Sequence, residues 1–194
     1  MRNITSTINK LSEYDAKRSK DAGTSFDEKL FLFSTVQMLR PKSILEIGVS
    51  AGHATLWLAA AAKTVGAKMT SIDNWSAAHG GKAKGPEKAK KRLDDNGLLD
   101  VVNFVATDSV PYLKAIAENS IDLVWVDGDH SLSGAIADMT EAIRVARQLV
   151  LVHDTNQRAY TTVREACLNV CDRGCFFDSL RGMFMITPRE EVKK

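Results

Sequence analysis

Ile44-Leu45-Glu46-Ile47-Gly48-Val49-Ser50-Ala51-Gly52-His53 decides the fold. A short apolar run ends on an acid, breaks into glycines, and gives way to helical periodicity near Thr55, the sequence form of a buried strand turning into a helix. Gly48 and Gly52 permit backbone conformations, and a close approach by a ligand, that a side chain would obstruct. Their spacing is G-x-x-x-G, whereas wrapping a dinucleotide pyrophosphate takes G-x-G-x-x-G. Glu46, two residues before the first glycine, opposes a diphosphate and favours an ammonium group. The ligand suited to this turn is a nucleoside that carries positive charge.

The pattern on either side repeats the same unit. Upstream, Ser25 and Glu28 have capping-box spacing, and Phe26, Leu30, Phe33 and Val36 predict a helix to Leu39 that Pro41 stops. Ser43–Ile47, Met69–Ile72, Val102–Ala106, Ile121–Val126 and Leu149–Val152 are short and apolar throughout, as strands covered on both faces are. Between them lie helices, most plainly the one from Ser131, with Leu132, Ile136, Met139 and Ile143 on its apolar stripe and Asp138, Glu141 and Arg144 facing water. After a helix over Thr161–Val170, the segments Phe176–Leu180 and Met183–Thr187 flank a tight Arg181-Gly182 connection and read as a hairpin. The fold class expected is α/β: a Rossmann-like, doubly wound, mostly parallel seven-stranded sheet with a C-terminal antiparallel hairpin and helices on both faces. One domain over 1–194 is expected, with 1–25 an N-terminal extension and 26–188 the core.

Composition narrows the partners. With 26 basic and 24 acidic residues, the chain of 194 carries a net charge of only +2, so it lacks the basic excess that drives generic binding to phosphate backbones, and no nucleic-acid partner is expected. The longest strongly apolar helical run, Leu56–Ala62, is far too short for a bilayer, and Met1–Asp15 does not resemble a signal peptide. A cytoplasmic protein without membrane contact is expected. Cys167, Cys171 and Cys175 suggest no disulfide framework. Lys82, Lys84, Lys88, Lys90, Lys91 and Arg92, diluted by Glu87, Asp94 and Asp95, read as a solvated helix face, and the glycine-rich half of the biased loop His79–Pro86, His79–Gly85, as a candidate lid.

Acids mark the strand ends: Glu46, Asp73, Asp127 and Asp154 close the first, second, fourth and fifth, and Asp108 follows the third. Ligands of open α/β sheets bind outside the carboxyl ends of the strands, so these groups are expected around one crevice.

With these residues in place, the chain resembles the class I S-adenosylmethionine-dependent methyltransferases. The resemblance rests on Glu46-Ile-Gly48-Val-Ser-Ala-Gly52, Ser71-Ile-Asp73-Asn-Trp75, Ala106-Thr-Asp108-Ser109 and Asp122-Leu-Val-Trp-Val-Asp127-Gly-Asp129-His130, in order over about Phe26–Pro188. It implies S-adenosylmethionine as cofactor. Gly48, Ser50 and Gly52 would lie against its methionine part, with Glu46 supporting that loop or the amino group. Asp73 would accept both ribose hydroxyls, with Asn74 beside it, and Asp108 and Ser109 would flank the adenine. Trp75 would pack on the adenine, cover the substrate, or simply fill the loop. Asp127 closes the cofactor list. Ala54 departs from relatives that carry a hydroxyl there.

Asp127-Gly128-Asp129-His130 stands where methyltransferases of base amino groups resemble one another in an Asn/Asp-Pro-Pro-aromatic loop. The chain is similar instead to small-molecule O-methyltransferases of the macrolide-sugar and catechol branch. That resemblance implies a small-molecule hydroxyl as acceptor, with Asp127, His130 and Asp154 as catalytic residues and His130 as the general base. It also implies a divalent cation, Mg²⁺ by its oxygen donors, on Asp127 and Asp154 with His153 or Asn156 nearby. The fifth-strand segment His153-Asp154-Thr155-Asn156 has fewer acids than the family pattern, which leaves metal dependence open. The alternatives are a nicotinamide-dependent dehydrogenase and a catalytically inactive cofactor-binding partner subunit. Oligomeric state is open, a homodimer included. The cysteine spacing C-x3-C-x3-C is read as buried helix packing rather than as the cluster-binding triplet of radical enzymes.

Overall fold

Five parallel strands form the centre of the sheet: β1 (Ser43–Ile47), β2 (Lys68–Asp73), β3 (Val102–Ala106), β4 (Ile121–Val126) and β5 (Ala146–His153). An antiparallel pair, β6 (Cys175–Phe177) and β7 (Met183–Ile186), extends the β5 edge, giving the order β3-β2-β1-β4-β5-β7-β6. The computed structural model describes residues 3–17, 23–76, 85–156, 158 and 161–188. The expected lid at 79–85 lies outside them apart from Gly85, as do Lys82 and Lys84.

The helices are α1 (Ile4–Ala16), α2 (Phe26–Leu39), α3 (His53–Val65), α4 (Glu87–Asp94), α5 (Ser109–Lys114), α6 (Leu132–Val145) and α7 (Thr161–Val170). They cover the two faces of the sheet. One core joins α2 and α3 to the strands through Leu32, Phe33, Leu56, Trp57 and Trp125, and the other joins α6 and α7 through Met139, Ala142, Val145, Ala166 and Cys167. The two cores bury apolar strand residues from both sides, which is why the strands lack alternation.

The N-terminal extension is tied to the first core. Leu11 of α1 is 2% exposed. Asp15, one turn further along that helix, accepts hydrogen bonds from the Trp57 indole and from Lys29 Nζ, each at 2.9 Å. Arg92 Nη1 of α4 lies 3.8 Å from the same carboxylate, so one buried acid gathers four helices.

Three sequence expectations are corrected here. Asp138 does not face water: it is 2% exposed, accepting from the Ser109 hydroxyl and from Asp129 N. Arg144 is partly buried, donating to the carbonyls of Leu113 and Ile116 and so tying α6 to α5. The hairpin is shorter than predicted, because after Phe177 the chain leaves the ladder to bond elsewhere and returns at Met183. No helix among the described residues is long and apolar enough to cross a membrane.

Candidate active site

The sheet order reverses between β1, which pairs with β2 on one side, and β4 on the other. Here the loop after β1 meets the loop after β4. Gly48 N donates to Ile72 O, and Asp127 N to Ile47 O. Gly48 adopts φ +86°, and a Cβ built there would stand 1.9 Å from the Asp127 carbonyl oxygen. At Gly52, with φ +78°, it would stand 2.8 Å from Ala89. Both glycines therefore serve a close approach of the chain to itself, besides the left-handed backbone expected of them.

Asp73 clamps this loop. Its Oδ2 accepts from Val49 N and Ser50 N, both at 2.8 Å, and its Oδ1 from Trp75 N at 2.6 Å. A carboxylate offers about four lone-pair directions. Three are occupied by the chain's own backbone donors, which leaves one direction open beside the loop. Trp75 is 8% exposed and packs against Val49 and Ala89. Its buried Nε1–H has no hydrogen-bond partner among the described residues. Exposed Asn74 donates to Asp108 Oδ1 at 2.7 Å, whereas the Ser109 hydroxyl turns inward to Asp138.

Glu46 belongs inside the fold. It is wholly buried, with Oε1 accepting from Thr55 Oγ1 at 3.0 Å and Oε2 from Ser71 Oγ at 2.6 Å. Burial raises its pKa to about 8 against those two hydroxyls, and the charges of Asp127 and Asp73 add to the rise. Of the two roles expected for it, support of the loop is the one this arrangement performs. With no exposed surface, Glu46 lies behind the wall of the crevice rather than on it.

Across the crevice the charged groups face one another. His130 Nε2 lies 3.2 Å from Asp154 Oδ2 and 3.7 Å from Asp127 Oδ1. His153 Nδ1 lies 3.3 Å from Asp127 Oδ1 and 3.6 Å from Asp154 Oδ1, and its Nε2 lies 3.2 Å from Glu28 Oε2. Burial opposes the charge on His153, but Asp127 and Glu28 outweigh it and hold the imidazole up at about 10. Burial likewise works against the Asp127 charge, and the two histidines overcome it, bringing the carboxyl to about 2. The hydrogen bond to Asp127 raises the His130 pKa, and burial raises that of Asp154. Asp154 also adopts φ +57°, a strained conformation for a non-glycine residue. The flanking Thr155 N and Asn156 N hold it by donating to Gly182 O and Arg181 O.

Asp127, His153 and Asp154 each offer one ligand atom within 4.8 Å of the others, the single group of this kind among the described residues. Asn156 is occupied elsewhere: its Oδ1 accepts from Arg158 N at 2.8 Å and its Nδ2 donates to the carbonyls of Ser179 and Leu180. The cysteines are free: Cys167 is buried, with its thiol pushed up to about 12 by burial, and Cys175 is exposed on β6.

Sequence reasoning missed Glu28 and Arg181. Glu28 is wholly buried and bonds His153, but its capping-box position already accounted for it locally. Arg181 Nη1 lies 3.5 Å from Asp154 Oδ1, reaching the site from a turn that carries no motif.

Comparison with known proteins bears on the family and the fold. Residues 45–155 match a family described as a methyltransferase domain. A catechol O-methyltransferase of Mycobacterium tuberculosis (strain ATCC 25618 / H37Rv) is 28% identical over 138 residues, covering 71% of this chain and 58% of that protein. The chain thus spans little more than half the length of that relative. The O-methyltransferase from Bacillus cereus, solved in complex with SAH, superposes with a TM-score of 0.68 at 18% identity, over 97% of this chain and 93% of that one. TomG from Streptomyces achromogenes, an O-methyltransferase involved in tomaymycin synthesis and solved with SAM, gives 0.63 at 18% identity, over 92% and 87%. At these identities the likeness is one of fold.

Proposed function

This chain belongs to the methyltransferase domain family, and from that premise we propose that it transfers a methyl group from S-adenosylmethionine to a hydroxyl of a small molecule. What carries the proposal is the cluster of Asp127, His130, His153 and Asp154 facing a glycine loop across the switch point of the sheet. The nicotinamide-dependent alternative lacks its glycine spacing and falls with the family match.

The cofactor supplies an electrophilic methyl on sulfur, taken by in-line displacement, so the protein's task is to align an acceptor oxygen and remove its proton. The residues around the first crevice wall suit the group. Asp73 keeps one acceptor direction open beside the loop of Gly48, Ser50 and Gly52. The buried Trp75 donor awaits an acceptor, and Asn74 and Asp108 present polar atoms at the rim, with Ser109 turned inward behind them. On the opposite wall His130 takes the acceptor proton. It does so in its neutral form, and Asp154 and Asp127 then stabilise the imidazolium.

A divalent cation fits the donor set of Asp127, Asp154 and His153, where it would lower the pKa of an acceptor hydroxyl. His153 would ligate through Nδ1 after losing that proton, while its Nε2–H stayed on Glu28, a carboxylate–histidine–metal arrangement. An imidazole in the set suits Mn²⁺, Fe²⁺ or Zn²⁺ at least as well as Mg²⁺.

Catechols, which the name of the Mycobacterium tuberculosis relative suggests, are the first acceptors to test. Methylated catechol formed together with S-adenosylhomocysteine supports the proposal. Tight S-adenosylhomocysteine binding without turnover of any hydroxylated acceptor favours the inactive partner subunit instead. Loss of activity in EDTA, restored by one added metal, supports the cation, and full activity in EDTA removes it.

A further inference from the structure

Glu28 has a local role that accounts for only part of what it touches. In the capping box of α2 its Oε2 accepts from Ser25 N at 2.7 Å. The same oxygen faces His153 Nε2 at 3.2 Å, and Oε1 accepts from Ser179 Oγ at 2.5 Å and Arg181 N at 3.0 Å. These partners lie 125 to 153 residues away in sequence. The carboxylate is 0% exposed, and a helix cap alone calls for no such burial.

Two chains of contact run from it to the acceptor side of the crevice. Through His153 it reaches Asp127 and Asp154, since an ionised carboxylate only accepts, so the ring nitrogen facing Glu28 must carry hydrogen. That fixes the ring with Nδ1 toward the two aspartates. The second chain runs through the backbone of Arg181, which Glu28 holds so that its guanidinium stands 3.5 Å from Asp154 Oδ1.

We propose that Glu28 is a positioning residue for methyl transfer: it sets the orientation of His153, and with it the placement of Asp127 and Asp154, from the N-terminus of α2. This rests on the methyltransferase function proposed above. The role is the same whether His153 Nδ1 faces the aspartates or an ion, because in both cases Nε2 is the donor to Glu28.

Glu28→Gln separates positioning from capping. Glutamine has one oxygen where Glu28 uses two, so either the Ser179/Arg181 pair or the Ser25/His153 pair would meet an amide N–H₂. In the full chain with ¹⁵N-labelled histidine, the wild type should give a slowly exchanging Nε2–H signal from His153, and Glu28→Gln should shift or abolish it. The variant's kcat should fall about 10- to 100-fold, the usual effect of removing such a partner, while the KM for S-adenosylmethionine stays within about twofold. Ser25→Ala removes the other half of the capping box and should lower Tm, leaving the ring signal and kcat at wild-type values. If Glu28→Gln behaves like Ser25→Ala, Glu28 is only a cap and the proposal is overturned. A wild-type His153 with Nε2 unprotonated overturns it too, whether or not the variant folds. The ring signal needs no turnover, so failure of this inference is distinguishable from failure of the proposed reaction.

Discussion

The two walls of the crevice hold their carboxylates by different means. On the β1–β2 wall, Asp73 is held by three backbone N–H groups from segments at most 24 residues away. On the β4–β5 wall, Asp127 and Asp154 are held by side-chain nitrogens, those of His130, His153 and Arg181. Backbone dipoles do not titrate and imidazoles do. The first wall should therefore bind over a wide pH range, and the second should set the pH at which chemistry proceeds.

The largest effect expected from this contrast is on His130. His130→Ala should lower kcat by about 10²- to 10⁴-fold, the contribution of a positioned general base, and leave S-adenosylhomocysteine affinity unchanged by calorimetry. Loss of cofactor affinity in that variant would merge the two walls.

Asp73→Ala should act in the reverse sense. Removing an acceptor to three backbone donors and a ribose hydroxyl should cost about 2 to 3 kcal/mol of cofactor binding, close to a hundredfold in Kd. An unchanged Kd would remove Asp73 from the cofactor site.

The pH profile sharpens the comparison further. The bond to Asp127 raises the His130 pKa, so its proton is retained to higher pH and the neutral base appears only as pH rises past the ordinary value near 6.5. Accordingly kcat/KM should climb with pH through a midpoint above 6.5, while cofactor Kd stays flat. A midpoint below 6.5 would exclude His130 as the base.

The smallest effect concerns stability. Glu46 has its pKa raised to about 8 in the fold, so between about 4.5 and 8 the folded chain keeps a proton that the unfolded chain has released. Stability must then decline as pH rises across that window. Glu46→Gln should have a higher Tm than wild type at pH 8, with the gain fading toward pH 5. Equal pH dependence of Tm in the two proteins would show that Glu46 ionises freely.

The contrast also explains what was legible in the chain. The capping box of α2, the glycine turn and the strands β1, β3 and β4 lie where periodicity and punctuation place them, because each is set by neighbours in sequence. Asp138 and Arg144 were misread because helical spacing assigns them to a polar face, whereas α5 and the loop after β4 come down over that face and offer hydroxyl, amide and carbonyl partners. Residues Asp178–Gly182 read as strand and turn, yet docking on Glu28 draws Ser179 and Arg181 out of the ladder.

From its sequence alone the chain determined the order of strands and helices, the acids at the strand ends and the family to which they point, since these depend on local periodicity and on residue types at short spacing. Only tertiary structure decided which of those acids face the crevice. Glu46 turned inward because two hydroxyls from neighbouring elements met it. Glu28, an ordinary cap by its spacing, became part of the β4–β5 wall because the end of β5 and the β6–β7 turn converge on it, and the solvation lost by a buried charge has to be replaced by partners that no local pattern encodes.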